Sequence, residues 1–162
     1  HRQLLNIVKP DSERKFWEVL CIIKRLGYGL GVAEEWASRS PHYDKNTFKQ
    51  KDSSGIFQIE REGAYDEVMR RLNPEVDVGN NVRRYNEQLK DSYGIDLTQM
   101  SYEDLEQPII GAAFARAYLL TVPEEIPTDL QEQGEYWKKY YNTVLGKGTP
   151  ARFVREARFK RI

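Results

Sequence analysis

Apolar residues recur at helical spacing along most of this chain. After Asp11 and Ser12, which offer a cap, Phe16, Val19, Leu20 and Ile23 fall at i, i+3, i+4 and i+7, the stripe of an amphipathic helix. Gly27, Gly29 and Gly31 interrupt that stripe, and a second helix is expected around Leu30–Ser40, stopped by Pro41. Lys45–Ser54 is polar and turn-rich. It leads into Gly55-Ile56-Phe57-Gln58-Ile59, an apolar alternation long enough for one strand or an extended turn. Short helices are expected at Tyr65–Leu72 and Asn81–Ser92, separated by Asn73-Pro74.

The second half is also helical. Ser101-Tyr102-Glu103-Asp104 has the form of a cap, and Pro108 opens the core part of the next helix. There Ile110, Ala113, Phe114, Ala117 and Leu120/Thr121 make one stripe, while Gly111, Ala112 and Ala115 keep the other sides small. A helix that is small and apolar on most sides is expected to be the central, enclosed one. Pro123 and Pro127 end it. Thr128-Asp129-Leu130-Gln131 reads as a capping box for a helix running through Trp137 to Tyr141, and Thr149-Pro150 supplies a cap and an N1 proline for the last helix. The pattern predicts a single mainly α-helical domain over residues 1–162 with at most a small β-hairpin, without repeats or low-complexity segments.

Composition narrows the partners. Lys+Arg and Asp+Glu are each 25, so the net charge is zero. A dedicated nucleic-acid binder carries a basic excess or stripe, so no nucleic acid is expected here, and basic Arg152–Arg161 reads as a solvated helix face. The single cysteine, Cys21, excludes an internal disulfide and lies in the apolar run Val19–Ile23, where a buried thiol is expected. No window reaches the ~20 apolar residues that span a bilayer, and no signal peptide opens the chain, so no membrane partner is expected. His42 is the only internal histidine, with no second histidine or cysteine near it, and nothing resembles a phosphate-cradling loop. No metal and no cofactor are expected.

Three segments carry candidate chemistry. In Glu34-Glu35-Trp36 a carboxyl sits beside an aromatic residue. An acid held partly out of water has a raised pKa and can protonate a glycosidic oxygen, although most glutamates at such positions are exposed helix charges. In Gly55–Glu60 a glycine lets the backbone approach a ligand. Gln58, between Phe57 and Ile59, points opposite to both, toward a cleft if they face the core. In Tyr136–Thr149, Trp137, Tyr140 and Tyr141 bury one face, Asn142 suits a helix end, and Gly146 and Gly148 permit a tight turn. Such aromatics serve equally as a structural anchor or as a stacking platform for carbohydrate.

In this order the three segments resemble the lysozyme-like superfamily, especially lytic transglycosylases. The pattern there is a glutamate ending a helix, a Gly-x-x-Gln-Ile strand and a downstream Tyr-Asn-x-Gly. The matching residues are Glu35, Gly55-Ile56-Phe57-Gln58-Ile59 and Tyr141-Asn142. The last segment, with the run from Ile109 through Tyr118 to Ile126, is also similar to bacteriophage proteins of lysozyme-like fold. Three departures stand out: Trp36 replaces the serine usual after the glutamate, Lys45–Lys51 occupies a loop that is otherwise glycine-rich, and Thr143-Val144-Leu145 separates Asn142 from Gly146.

The resemblance implies a lysozyme-like helical domain of a phage tail or baseplate, located in the virion. It would act on peptidoglycan glycan strands, in the host periplasm, as a muramidase or lytic transglycosylase, with other virion proteins as neighbours. Glu35 (or Glu34) would be the acid, with Gly55, Gln58, Tyr141 and Asn142 around the sugar. A hydrolase would need a second carboxylate, from Asp44, Glu60 or Glu62. Two other readings compete. One is an inactive structural part of a tail or baseplate, which suits ten tyrosines on a neutral chain. The other is a helical accessory domain of a virus-type primase, which the stretches Leu4–Pro10 and Trp36–Asp44 resemble.

Overall fold

The computed structural model describes residues 16–17, 53–54, 57, 59–142 and 148–159. The helices expected over the first forty residues fall outside these, except for Phe16 and Trp17, which are helical and buried. Among the described residues the fold is mainly α, with one small hairpin of β1 (Ser53–Ser54) and β2 (Ile59–Glu60), paired antiparallel with Ser54 opposite Ile59. Five α-helices follow: α1 (Asp66–Leu72), α2 (Asn80–Tyr93), α3 (Pro108–Leu119), α4 (Leu130–Trp137) and α5 (Pro150–Phe159).

The enclosed helix is where its small residues place it. On α3 Ile110, Ala113, Phe114 and Ala117 are buried, and so are Gly111 and Ala115 on its other sides. Hydrophobic burial thus covers most of the helix instead of lining one stripe, with Ile109, Ala112 and Arg116 on the side left partly open. Gly111 lets the hairpin come in close, because a Cβ there would stand 3.4 Å from the Phe57 ring and 3.0 Å from the Leu105 carbonyl oxygen. The second half of the core is aromatic. Phe16 packs at 5.6 Å from Phe153 and edge-on at 5.8 Å from Tyr136, and Trp137 lies 5.6 Å from Phe153. Rings at these separations add to the area they bury. The N-terminal aromatic pair is thereby tied to α4 and α5.

Caps explain most boundaries. Pro108 opens α3, and Thr149 caps α5 by accepting from the Arg152 N–H at 3.2 Å, both as expected. Asp104 accepts from the Ser101 N–H at 2.7 Å, but the turn it closes is a short 3₁₀ segment, Glu103–Glu106. The capping box expected at Thr128 is displaced by one residue. Asp129 is the N-cap and its carboxylate accepts from the Glu132 N–H at 3.0 Å, because Asp129 is the extended residue directly before Leu130. Between α2 and the next turn, the buried Asn86 amide bridges two elements. It accepts from the Leu97 N–H at 2.8 Å and donates to Asp96 at 3.0 Å.

Two helix boundaries differ from expectation in kind. The helix read as starting at Tyr65 is preceded by a π-helical turn, Arg61–Tyr65, that runs directly out of β2. The helix read as continuing to Tyr141 ends at Trp137, and Lys138–Asn142 is a second π-helical turn. Such turns carry one extra residue per turn and recur at functional sites.

Candidate functional site around the hairpin

The hairpin is held through its backbone by two tyrosines from distant parts of the chain. Tyr141, on the second π-helical turn, donates its hydroxyl to the Phe57 carbonyl at 2.7 Å, across 84 residues of sequence. Tyr102 donates to the Ile59 carbonyl at 3.0 Å, across 43 residues. These carbonyls flank position 58, and Phe57 and Ile59 are both buried, facing the core as their alternation implies. Each hydroxyl satisfies a carbonyl that a two-residue strand leaves outside a longer ladder. The Arg61 guanidinium lies 4.5 Å from the centre of the Tyr102 ring and 3.3 Å from the Glu103 carboxylate, which closes that flank.

On the other flank Tyr118 of α3 stands edge-on to Tyr141, with ring centres 6.3 Å apart. Burial raises the Tyr118 phenol above its ordinary value, and the carboxylates of Glu60 and Glu67 raise it further. The phenol therefore stays protonated and the two carboxylates lie within its electrostatic reach. Pattern reading missed Tyr118. The signal was its place on α3, where it is the one ring that carries a hydroxyl.

The two carboxylates differ in role. Glu60 is exposed at the end of β2, and its carboxylate folds back so that a Cβ on Gly63 would lie 3.2 Å from Oε2. Glu67 is gripped by Arg70 at 2.9 Å and Arg71 at 2.6 Å. The hydrogen bond from Arg70 is the main cause that lowers its pKa from 4.5 to about 2, with Arg71 adding to it against the opposing effect of burial. Glu67 thus remains ionised and offers charge, not a proton.

A pH dependence follows. A carboxylate with a depressed folded pKa adds stability that is fully present above its unfolded value and is lost as pH falls through the folded one. Between pH 4.5 and about 2 the urea midpoint is expected to fall more steeply for the native chain than for Glu67→Gln, and parallel curves would refute this.

Of the expected site residues, Tyr141 and Asn142 are described, while Glu34, Glu35, Asp44, Gly55 and Gln58 lie outside the described residues. Asn142 accepts from the Lys138 ammonium at 2.9 Å, and its amide nitrogen lies 3.2 Å from where a Cβ on Gly148 would stand. Its side chain thus bonds within the π-helical turn and lies close to Gly148. Among the described residues no group of three or more His, Cys, Asp or Glu side chains is placed to hold a metal, and no helix is long and apolar enough to cross a membrane. Comparison with protein-family models, curated proteins and solved structures finds no match for this chain.

Proposed function

We propose that this chain is a phage virion-associated lysozyme-like protein that cleaves peptidoglycan as a muramidase or lytic transglycosylase. The observation that carries the reading is the 2.7 Å hydrogen bond from Tyr141 to the Phe57 carbonyl. It joins the Gly-x-x-Gln-Ile segment to the Tyr-Asn segment, the two parts of the pattern that lie within or beside the described residues. Two π-helical turns abutting the same hairpin, and a protonated Tyr118 within electrostatic reach of Glu60 and Glu67, add to it.

In this reading Glu35 donates its proton to the glycosidic oxygen between N-acetylmuramic acid and N-acetylglucosamine as the C1–O4 bond breaks. For a transglycosylase the sugar's own C6 hydroxyl attacks C1 and returns its proton to the Glu35 carboxylate, so one carboxylate suffices. For a hydrolase a water attacks instead and a second carboxylate is required. Of the two described candidates for it, Glu60 is the one whose charge reaches Tyr118. Gln58 binds the sugar amide, and Gly55 allows close backbone approach. Tyr141, whose hydroxyl donates to the Phe57 carbonyl, stands beside the sugar or the acid.

That engagement also favours a second reading, in which the fold is an inactive packing block of a tail or baseplate. A hydroxyl donating to a backbone carbonyl is an architectural contact. Incubation of the purified chain with purified sacculi separates the two. Release of soluble muropeptides by the native chain and not by Glu35→Gln is expected, with 1,6-anhydro ends for a transglycosylase and reducing ends for a hydrolase. No release by the native chain, or equal release by Glu35→Gln, overturns the enzymatic reading.

A further inference from the structure

A groove separate from the hairpin opens between α2 and α3. Asn81, Arg84, Tyr85 and Gln88 line it from α2, at the i, i+3, i+4 and i+7 positions of one face, and Arg116 and Leu120 line it from α3 and its end. Its volume is about 180 Å³. Pockets for drug-sized ligands run to roughly 300–1,000 Å³, so this one suits a single small group and not a whole cofactor. The lining carries two guanidiniums, two amides, a phenol and one apolar side chain, with no carboxylate among them.

The two adjacent arginines of α2 are used differently. Arg83 is spent on structure: it donates to the carbonyls of Arg71 at 3.1 Å, Asn73 at 3.2 Å and Val76 at 3.2 Å, and to the Asn80 side chain at 2.6 Å. Arg84 is exposed and has no hydrogen bond or ion pair with another described residue. A guanidinium without an acid beside it can take an anion that accepts two parallel N–H bonds, and a second guanidinium across the groove adds to the attraction. Arg116 is held in place from behind, its guanidinium 5.8 Å from the centre of the Trp17 ring. Burial raises the Tyr85 phenol, and the Arg116 charge acts against that rise, which puts the arginine near the phenol at the groove wall.

We propose that this groove is a binding site for a small oxyanion, a carboxylate or phosphate group, held between Arg84 and Arg116 with the Asn81 and Gln88 amides as further donors. The inference does not depend on peptidoglycan cleavage. It is tested by titrating the isotopically labelled chain with inorganic phosphate and, separately, with acetate, at constant ionic strength set by chloride. Saturable amide shifts confined to α2 and α3 are expected for at least one of the two. The stronger anion tells a phosphate source from a carboxylate source. Arg84→Gln is expected to weaken binding about tenfold or more, as loss of a charge-assisted bidentate contact does. Arg84→Lys keeps the charge without the fork and is expected to weaken it less. No saturation with either anion, or equal affinity in all three proteins, overturns the proposal.

Discussion

Gly148→Ala is expected to cost about 3 kcal/mol of stability, the upper end of what one extra methyl costs in a packed interior. The added Cβ would lie 2.3 Å from Trp137 Cη2, 3.1 Å from Cζ3 and 3.2 Å from the Asn142 amide nitrogen. Relief by movement of the ring is blocked, because Trp137 is 1 % exposed and packs on Phe153 in the aromatic half of the core. The backbone must give instead, and it is anchored nearby by the Thr149 cap on α5. Chemical denaturation measures the loss. A second variant tests the cause: Trp137→Phe removes the atoms that clash, so the double variant should lose clearly less than the two single losses added together. Full additivity would place the cost elsewhere. The effect should extend to the hairpin, since Asn142 and Tyr141 are neighbours on one π-helical turn and Tyr141 holds Phe57.

The legible parts of this fold were those that local chemistry decides. The enclosure of α3 follows from its run of glycine and alanine, and the starts of α3 and α5 follow from Pro108 and Thr149. Inward Phe57 and Ile59 follow from period-two alternation. What pattern missed depends on backbone states or distant partners. Thr128 and Asp129 both suit an N-cap, and only the backbone selects the one whose carboxylate meets the Glu132 N–H. A π-helical turn adds one residue to a helix without disturbing the apolar stripe enough to be seen, so Lys138–Asn142 read as a continuation.

The same distinction holds for the candidate site. Tyr141 was visible as half of a motif, yet its partner is a backbone carbonyl, which leaves no trace in residue identity. Tyr118 was hidden because its meaning lies in Glu60, Glu67 and Tyr141, three residues from three other elements. Tyr102 escaped for the same reason, since the Ile59 carbonyl it holds becomes an available acceptor only once the hairpin is as short as two residues a side. Of the three motif segments, two touch, through Tyr141 and Phe57, and the first lies outside the described residues. The contacts between them needed coordinates.

Gly79→Ala should be the most damaging single methyl addition in the described chain, at roughly 3–5 kcal/mol when backbone strain and overpacking are combined. Gly79 is the N-cap of α2 with φ of 123° and ψ of 10°, a region that residues bearing a Cβ scarcely enter. Space is lacking as well: the new Cβ would stand 2.5 Å from the Arg71 carbonyl oxygen and 2.8 Å from Arg71 Cβ. That oxygen cannot withdraw cheaply, because Arg83 of the same α2 donates to it at 3.1 Å while gathering the carbonyls of Asn73 and Val76. The substitution therefore sets the N-terminus of α2 against the C-terminus of α1 at the point where Arg83 ties them. Gly94, the residue after α2, separates the two causes. Its φ of 65° and ψ of 21° are left-handed helical, and nothing lies within 4 Å of an added Cβ. Gly94→Ala should cost only about 1 kcal/mol, the left-handed penalty alone, and Gly94→Asn less. Urea unfolding of the three variants should rank Gly79→Ala far below Gly94→Ala, with Gly94→Asn nearest the native chain. Equal midpoints for the two alanine variants would mean that the Arg71 contact contributes nothing and that left-handed strain is the whole cost.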